Sequence, residues 1–366
     1  MNDKPIEKQN KYRVPWTLPN FQQQDIDSIK KVLETGWLSM GKEVERFENM
    51  VSSYLEISYA IAVNNGTSAL DVALKCLDIG LGDEVIIPAF TYVATGNAVV
   101  YNHATPVFVD IDDTLNIDPN LIEEKITDQT KAIMNIDFGG NVSNYSEILR
   151  ISKKYNIPLV VDGAQSFGCE YHKKKCCTHG LINTTSFHAA KIITTIEGGM
   201  VFTDDKRLYE KAQILRNQGQ TSRYLHSYLG NNYRMIDVIA AMGTAQIGRF
   251  KKTLRQRKEK VIYYKENLKN VEYPKELEQT KNSYFLFLIL TNKREKLNEH
   301  LKKNSIETRI NYPTPVNDQP ILRKYSTDVF PKSKEAASRV LSLPLFHSLT
   351  REQQDYVIKE VNSFLA

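Results

Sequence analysis

Short apolar runs alternate with amphipathic stretches along the first two thirds of the chain. Residues 59–63, YAIAV, lack the strict alternation of a half-exposed strand. In residues 23–33, Ile26, Ile29 and Val32 recur at the spacing of a helix that buries one face. Buried strands that alternate with helices are typical of a parallel sheet covered on both sides. The pattern therefore predicts an α/β fold in three layers, α/β/α, with a mostly parallel sheet.

Periodicity and turn residues place the elements along the chain. Predicted strands cover residues 59–63, 85–88, 105–110, 131–136, 158–162, 200–202, 283–290 and 307–310. Predicted helices cover residues 23–33, 44–55, 120–126, 145–155, 205–215, 237–267 with a break, 294–304, 333–340 and 351–364, and one more ends at residue 77. The regular alternation stops near Arg255. We therefore expect a large cofactor-binding domain with a helical leader at residues 1–255 and a small C-terminal α+β domain at residues 256–366.

Composition excludes several classes of protein. Of the 366 residues, 41% are hydrophobic and 25% are charged, the balance of a globular protein. The net charge of +5 is dispersed, so no basic face for nucleic acid is expected. The polar start, MNDKPIEKQNKYRVPW, has no apolar core of a secretory signal, and no run is long enough to span a membrane. We expect a cytoplasmic protein that binds neither nucleic acid nor membrane.

The cysteines fit a reducing compartment better than a disulfide framework. They are Cys76, Cys169, Cys176 and Cys177. The last two lie near His172 and His179, but the spacing matches no common zinc pattern and lysines intervene. This segment is therefore predicted to be a polar hairpin tip, and no metal site is expected.

A glycine turn rich in hydroxyl groups follows the first predicted strand. Gly66, Thr67 and Ser68 lie in NNGTSAL, where a strand passes into a helix. Free backbone N–H groups and the helix dipole make such a helix start an anion site. A hydroxyl that only caps the helix is the plainer interpretation, and the two roles are compatible.

Three further features point to chemistry at the ends of strands. Lys191 lies within SFHAAKIITTIEGG, residues 186–199, where an apolar run would favour the neutral amine that a reactive lysine needs. Asp162 ends a predicted strand, with Gln165 three residues later, and Tyr92 follows the strand at 85–88. In parallel sheets, functional groups gather past the carboxyl ends of strands.

Together these features match the needs of pyridoxal 5'-phosphate. That cofactor requires an anion cradle, a flat partner for its ring, a carboxylate at its pyridine nitrogen, a donor near its phenolic oxygen and a lysine for its aldehyde. Each feature alone is weak, because lysines and hydroxyl groups are common on protein surfaces. Their number and order make the set specific.

The chain resembles the DegT/StrS-type sugar aminotransferases, a branch of the aspartate-aminotransferase fold. The matching motifs are GWLSMG, NNGTSAL, GDEVIIPAFTYVAT, TKAI, VVDGAQSFG, SFHAAK, TTIEGG, NNYRM, IETRINYP and LSLPLF. They extend from residue 36 to residue 346, so the resemblance covers nearly the whole chain.

The resemblance implies roles for the residues around the cofactor ring. By that resemblance, Lys191 bonds to the aldehyde and carries the proton, and Asp162 pairs with the pyridinium nitrogen. Gln165 contacts the phenolic oxygen, and Tyr92 stacks on the ring.

The resemblance also implies a phosphate site. Gly66, Thr67 and Ser186 would bind the phosphate, with Ser68 as a neighbouring candidate. Asn232 would reach the phosphate from the second subunit, so the protein is expected to be a homodimer with shared active sites.

The implied reaction is transamination with two substrates. An amino acid donor, L-glutamate, gives its amino group to the cofactor, which becomes pyridoxamine phosphate. The group then passes to a ketone at the third or fourth carbon of a nucleotide-linked deoxysugar. The product would be an amino sugar for a surface polysaccharide such as a lipopolysaccharide O-antigen.

The remaining residues of interest are candidate substrate contacts and positions that depart from the family pattern around the expected sugar site. The candidates for contact with the sugar nucleotide are Trp37, His188, Arg234 and Arg309, each with a structural role as an equal alternative. The departures are Ile192, Ile196, Asp137, Gly139 and Asn317. They bear on the substrate more than on the reaction.

Two other functions share the fold. A pyridoxamine-phosphate-dependent dehydratase has histidine in place of the lysine, and Lys191 argues against it. A non-enzymatic regulator that binds the cofactor should have lost some of Lys191, Asp162 and Ser186, yet all three are present.

Overall fold

The computed structural model of the chain describes residues 11–366. Residues 1–10, which carry much of the polar leader, lie outside the described residues, so the expectation of no secretory signal rests on sequence.

The α-helices are α1 Gln23–Thr35, α2 Lys42–Leu55, α3 Gly66–Cys76, α4 Val93–Tyr101, α5 Tyr145–Tyr155, α6 Lys206–Arg216, α7 Asp237–Asn267, α8 Arg294–Lys303, α9 Pro331–Arg339 and α10 Arg351–Leu365. The strands are β1 Tyr59–Val63, β2 Glu84–Pro88, β3 Thr105–Val109, β4 Thr130–Ile136, β5 Leu159–Asp162, β6 Glu170–Tyr171, β7 Lys174–Lys175, β8 Ile182–Ser186, β9 Gly199–Thr203, β10 Gln220–Ser222, β11 Leu225–His226, β12 Thr280–Lys281, β13 Phe287–Leu290 and β14 Val340–Leu343.

Seven strands form the central sheet in the order β1-β9-β8-β5-β4-β2-β3. Neighbouring strands are parallel from β8 to β3, and β9 is antiparallel to both β8 and β1. Side chains of β1 alternate between the faces: Ile61 and Val63 pack with α3, α4 and α6, whereas Ala60 and Ala62 pack with α2 and α7. The predicted three-layer fold with a mostly parallel sheet is confirmed.

One central strand was missed by the hydrophobic pattern. Strand β8 has the sequence INTTS, yet all five of its residues are buried. The hydroxyl of Thr184 donates to the carbonyl of Val161 at 3.3 Å, and that of Thr185 donates to the carbonyl of Gly163 at 2.9 Å. Burial of these polar side chains is possible because each hydroxyl is bonded to the neighbouring backbone.

Several predicted elements were wrong. Residues 120–126 form two short 3₁₀ turns, Pro119–Leu121 and Glu123–Lys125, in place of an α-helix. Residues 307–310 make one isolated bridge, between Arg309 and Ser342, in place of a strand. Helix α7 runs without the predicted break. Gly243 within it leaves room for the Phe47 ring, which a β-carbon at that position would meet at 2.7 Å.

The cysteine segment also differs from its prediction. The tip of the β6–β7 hairpin is formed by His172 and Lys173, both with positive φ. Cys176 and Cys177 follow the hairpin and are buried in the core. Within residues 11–366, no three histidine, cysteine or acidic side chains cluster closely enough to hold a metal ion.

Helix α7 carries two separate apolar clusters. Near its middle, Phe250 packs with α2 and the central sheet. Near its end, Tyr264 packs with β13, β14, α8 and α10, and Val14 joins this second cluster. The division of the chain near Arg255 stays a prediction, which these two clusters support.

No helix in residues 11–366 is long and apolar enough to cross a membrane.

Candidate active site

The predicted functional residues follow strands whose carboxyl ends lie along one edge of the sheet. β1, β2, β4, β5 and β8 run in the same direction. Asp162 and Ser186 are the last residues of β5 and β8, and Thr67 and Tyr92 lie in the segments that follow β1 and β2. The register places Asp162 opposite Thr184, two residues before Ser186. The fold therefore gathers these side chains at one place, as expected for a parallel sheet.

The glycine turn forms the start of α3 against the end of β8. A β-carbon on Gly66 would meet the β-carbon of Ser186 at 2.8 Å, so glycine is required for this approach. Asn65 caps the helix by accepting from the backbone N–H of Ser68 at 2.8 Å. Because Asn65 occupies that N–H, the N–H groups of Gly66 and Thr67 at the helix start are the ones free for an anion.

Asp162 is 3% exposed at the end of β5. One of its oxygens accepts from the hydroxyl of Thr95 at 2.9 Å, and the other accepts from the N–H of Ala164 at 3.2 Å. Burial raises the pKa of Asp162, whereas these two hydrogen bonds and the charge of Lys191 oppose the rise. The carboxylate is fixed in place and keeps lone pairs for a further partner.

Lys191 lies in the loop between β8 and β9. Its Nζ lies 4.3 Å from the centre of the Phe285 ring. Burial lowers the pKa of Lys191 to about 8, and the charge of Asp162 opposes this shift. A substantial fraction of the amine is therefore neutral near physiological pH, which a nucleophilic lysine requires.

We expect Lys191 to titrate well below other lysines in the cofactor-free protein. Labelling with trace acetic anhydride, read by peptide mass, should give half-maximal reactivity at Lys191 near pH 8. Because the folded state binds fewer protons than the unfolded state between about pH 8 and the ordinary lysine pKa, stability should rise with pH across that window. Titration of Lys191 at the ordinary lysine pKa of about 10.4 would contradict this assignment.

Gln165 is held between two elements that the sequence did not connect. Its Oε1 accepts from the N–H of Gly139 at 2.7 Å, and its Nε2 lies 3.5 Å from the hydroxyl of Tyr312. The ring of Tyr312 lies 5.6 Å from that of Tyr92. Tyr92 itself is 53% exposed, as suits a side chain that waits for a flat partner.

Three residues of the site were missed by sequence reasoning. They are Thr95, Phe285 and Tyr312. Thr95 lies one helical turn after Thr91, and the two hydroxyl oxygens are 3.0 Å apart. The four-residue spacing of these threonines could have predicted that their side chains meet. Tyr312 lies in the motif IETRINYP, but nothing in the sequence says that this motif returns to Gln165. Phe285 likewise comes from a distant part of the chain.

The proposed sugar contacts are less closely grouped. His188 is half exposed, with its Nε2 3.7 Å from Glu197. Arg234 donates to Asn217 at 2.7 Å, and its backbone bridges to Val63, next to the glycine turn. Asn232 is exposed on the same loop. These positions suit contacts with a ligand or a second subunit, and their roles stay predictions.

The other two candidates lie among different neighbours. Trp37 is 63% exposed and lines a groove of about 980 Å³ between α1, α2 and α7. Arg309 pairs with Glu307 at 2.7 Å and lies near the ring of Trp16. Within the described part of the chain, no hydrogen bond or ion pair joins Trp37 or Arg309 to the residues around Lys191.

The departures from the family pattern have structural explanations of different strength. Gly139 has φ +66°, and a β-carbon there would meet Leu288 at 2.9 Å. Asp137 is fully buried and accepts from the N–H of Ser143 and the hydroxyl of Tyr145. It therefore serves the fold behind the site.

The two isoleucines after Lys191 differ from each other. Ile192 packs at the edge of the α2 cluster. Ile196 is 50% exposed with φ +69°, a conformation that disfavours β-branched residues. The structure offers no contact that explains isoleucine at this position.

Known proteins resemble this chain over nearly its whole length. Residues 19–362 match the family described as DegT/DnrJ/EryC1/StrS aminotransferase family. GDP-perosamine synthase of Escherichia coli O157:H7 is 37% identical over 96% of this chain and 98% of its own length. The dTDP-3-amino-3,6-dideoxy-alpha-D-galactopyranose transaminase of Aneurinibacillus thermoaerophilus is 35% identical over 94% and 96%. The PLP form of Spr1654, a putative sugar aminotransferase of Streptococcus pneumoniae, superposes with a TM-score of 0.91 at 27% identity, over 97% of this chain and 99% of that one.

Proposed function

Since this chain belongs to the DegT/DnrJ/EryC1/StrS aminotransferase family, we propose that it transfers an amino group from L-glutamate to a nucleotide-linked keto-deoxysugar. The ketone lies at the third or fourth carbon of the sugar. The observation that carries the proposal is the position of buried Asp162 beside the end of β8, from which the loop that carries Lys191 begins. The product serves the synthesis of surface polysaccharide or another glycoconjugate.

The residues present fit pyridoxal phosphate, the cofactor of the reaction. The approach of Gly66 to Ser186 forms a cradle that a β-carbon would fill, at the start of a helix suited to a phosphate. Buried Asp162 suits a protonated ring nitrogen, and Lys191 suits an aldehyde. When bound, the cofactor supplies an aldehyde that takes up the donor nitrogen and a ring that accepts electrons, and its amine form returns the nitrogen.

The chain's own residues then perform the proton transfers. Lys191, once free, takes the proton from the α-carbon of the donor as a general base, because its lowered pKa leaves it neutral often enough. It returns a proton at the sugar carbon in the second half-reaction. Asp162 stabilises positive charge at the ring nitrogen, and Thr95 holds the carboxylate in position. Burial of Asp162 keeps water from this ion pair.

Alternative functions fit the site less well. Dehydration by the related enzymes requires histidine where this chain has Lys191. A regulator without catalysis would have no need of a buried carboxylate, Asp162, near a lysine whose pKa is lowered. The two relatives named above as a synthase and a transaminase also favour group transfer.

The acceptor is best identified by a screen. The two named relatives carry GDP and dTDP in their names, so keto sugars on both nucleotides, and on UDP, should be offered with glutamate. Mass spectrometry should reveal an amino sugar from at least one of them. If glutamate alone fails to convert the bound cofactor from its aldehyde form to its amine form, the proposal is wrong.

We also propose a homodimer in which Asn232 serves the partner's phosphate site. Its support is the exposure of Asn232 on a loop fixed to the glycine turn, where the N–H of Asn64 donates to the carbonyl of Tyr233 at 2.8 Å. The cytoplasmic location stays a prediction.

Mixing two inactive variants should restore activity if sites are shared. Lys191→Ala and Asn232→Ala, refolded or co-expressed together, form some dimers in which one site carries both defects and the other carries none. About a quarter of the wild-type activity is expected for random pairing of equal amounts, because half of the dimers are mixed and each has one intact site. Assay of the mixture against each variant alone checks this, and activity no higher than that of the single variants would contradict a shared site.

A further inference from the structure

The hydroxyl of Tyr312 lies inside the site and has a single hydrogen-bond neighbour there. Within residues 11–366 that neighbour is Nε2 of Gln165, at 3.5 Å. The Tyr312 ring packs between Tyr92, at 5.6 Å, and Phe138, at 5.9 Å. The ring is therefore fixed by two aromatic contacts, while the hydroxyl is only loosely held.

The orientation of the Gln165 amide decides which role the Tyr312 hydroxyl plays. The backbone N–H of Gly139 can only donate, so the Gln165 atom 2.7 Å from it must be the oxygen. The amide nitrogen of Gln165 then faces Tyr312 and donates to its oxygen. The O–H hydrogen of Tyr312 is left without an acceptor among the described residues.

The phenol stays protonated under ordinary conditions. Burial raises the pKa of Tyr312, and the nearby phenol of Tyr92 and carboxylate of Asp162 raise it further, whereas the bond from Gln165 lowers it. Tyr312 is thus a neutral hydrogen-bond donor with a free hydrogen. Tyr312 is only half-buried, so this hydrogen is open to a ligand that enters the site.

The position of Gln165 shows which part of a substrate Tyr312 meets. This step rests on the proposed function and on the role that the family resemblance implies for Gln165, contact with the phenolic oxygen of the cofactor. That oxygen and the reacting carbon are attached to adjacent ring atoms. A side chain beside Gln165 therefore lies on the side where the substrate's reacting carbon arrives. We propose that Tyr312 donates a hydrogen bond to the ketone oxygen of the sugar acceptor.

The proposed bond assists the step in which the carbon–oxygen bond of the sugar ketone breaks. There the amine nitrogen forms a double bond to the ketone carbon, the carbon–oxygen bond breaks, and the oxygen leaves as water with the two hydrogens of the amine. A donor to that oxygen stabilises the charge that develops on it. The glutamate half-reaction reaches the reverse of this step only at its end, when water adds and the keto acid leaves, so the earlier removal of the α-proton does not depend on Tyr312.

Tyr312→Phe tests the proposal because it removes the hydroxyl and keeps the ring contacts. Stopped-flow absorbance should show the loss of the aldehyde form with glutamate, which precedes water addition, within about threefold of wild type and the sugar half-reaction slowed by about tenfold or more, as loss of one hydrogen bond predicts. Tyr312→His, which restores an N–H donor, should recover part of the sugar rate. Tyr264→Phe is a matched control, since its buried hydroxyl has no hydrogen-bond partner among residues 11–366 and lies in the C-terminal cluster.

A binding measurement gives a readout independent of turnover. In protein inactivated by borohydride, Tyr312→Phe should weaken binding of the keto sugar nucleotide several-fold and leave binding of the free nucleoside diphosphate unchanged. Equal slowing of the loss of the aldehyde form with glutamate and of the sugar half-reaction, or no slowing of either, would overturn the proposal. If wild type fails in the glutamate half-reaction, the proposed function itself is wrong, and the two failures are thereby distinguished.

Discussion

Lys191→Ala should reduce transamination by about 10⁴-fold or more, because the same side chain holds the cofactor and carries the proton. Within residues 11–366, no other lysine combines burial that lowers its pKa to about 8 with the nearby charge of Asp162. The variant should still bind the cofactor at the glycine turn and Asp162. Borohydride treatment of wild type, followed by peptide mass analysis, should attach the cofactor at Lys191 alone.

Lys175→Ala serves as the control for this substitution. Lys175 is also largely buried, but it pairs with Glu170 on the β6–β7 hairpin. Its removal should leave both half-reactions near wild type. If borohydride still fixes the cofactor covalently in Lys191→Ala, a different lysine is the reactive one.

Asp162→Asn should slow both half-reactions by about a hundredfold or more, since a neutral amide cannot stabilise positive charge at the ring nitrogen. Asparagine keeps the size of the side chain and can still interact with Thr95 and Ala164. Burial raises the pKa of Asp162, so the carboxylate is costly to bury and its loss should not lower the stability of the cofactor-free protein. Thermal unfolding without cofactor, beside stopped-flow rates with it, separates these two effects.

Asp110→Asn is the matched control for the carboxylate. Asp110 also follows a parallel strand, β3, and accepts from the hydroxyl and N–H of Ser333. This substitution should cost stability and leave the rates within a few-fold of wild type. Equal activity of Asp162→Asn and wild type would contradict the role of Asp162.

Much of the site could be predicted because its residues follow strands that are consecutive or nearly so in the sequence. Asp162 at the end of an apolar run, and Gly66 between a strand and a helix, carry local signals of their position. Parallel packing then brings such positions together without further information.

Other parts depended on distant contacts that leave no local pattern. Strand β8 was missed because its threonines look exposed until their hydroxyls find backbone acceptors on β5 and in the turn that follows it. Tyr312 reaches Gln165 across 147 positions of sequence. The helix expected at residues 120–126 failed because the segment closes only short 3₁₀ turns. In each case tertiary contacts overrode the local preference.

The central claim is that one site carries nitrogen from an amino acid to a nucleotide-linked sugar. The most direct test treats the protein with ¹⁵N-glutamate alone, removes all free glutamate, and then adds the accepted keto sugar. The proposed function predicts ¹⁵N in the amino sugar, at about one atom for each active site, because the first half-reaction stores the nitrogen on the protein. Absence of labelled sugar after complete removal of glutamate, in protein that turns over normally when both substrates are present, would contradict it.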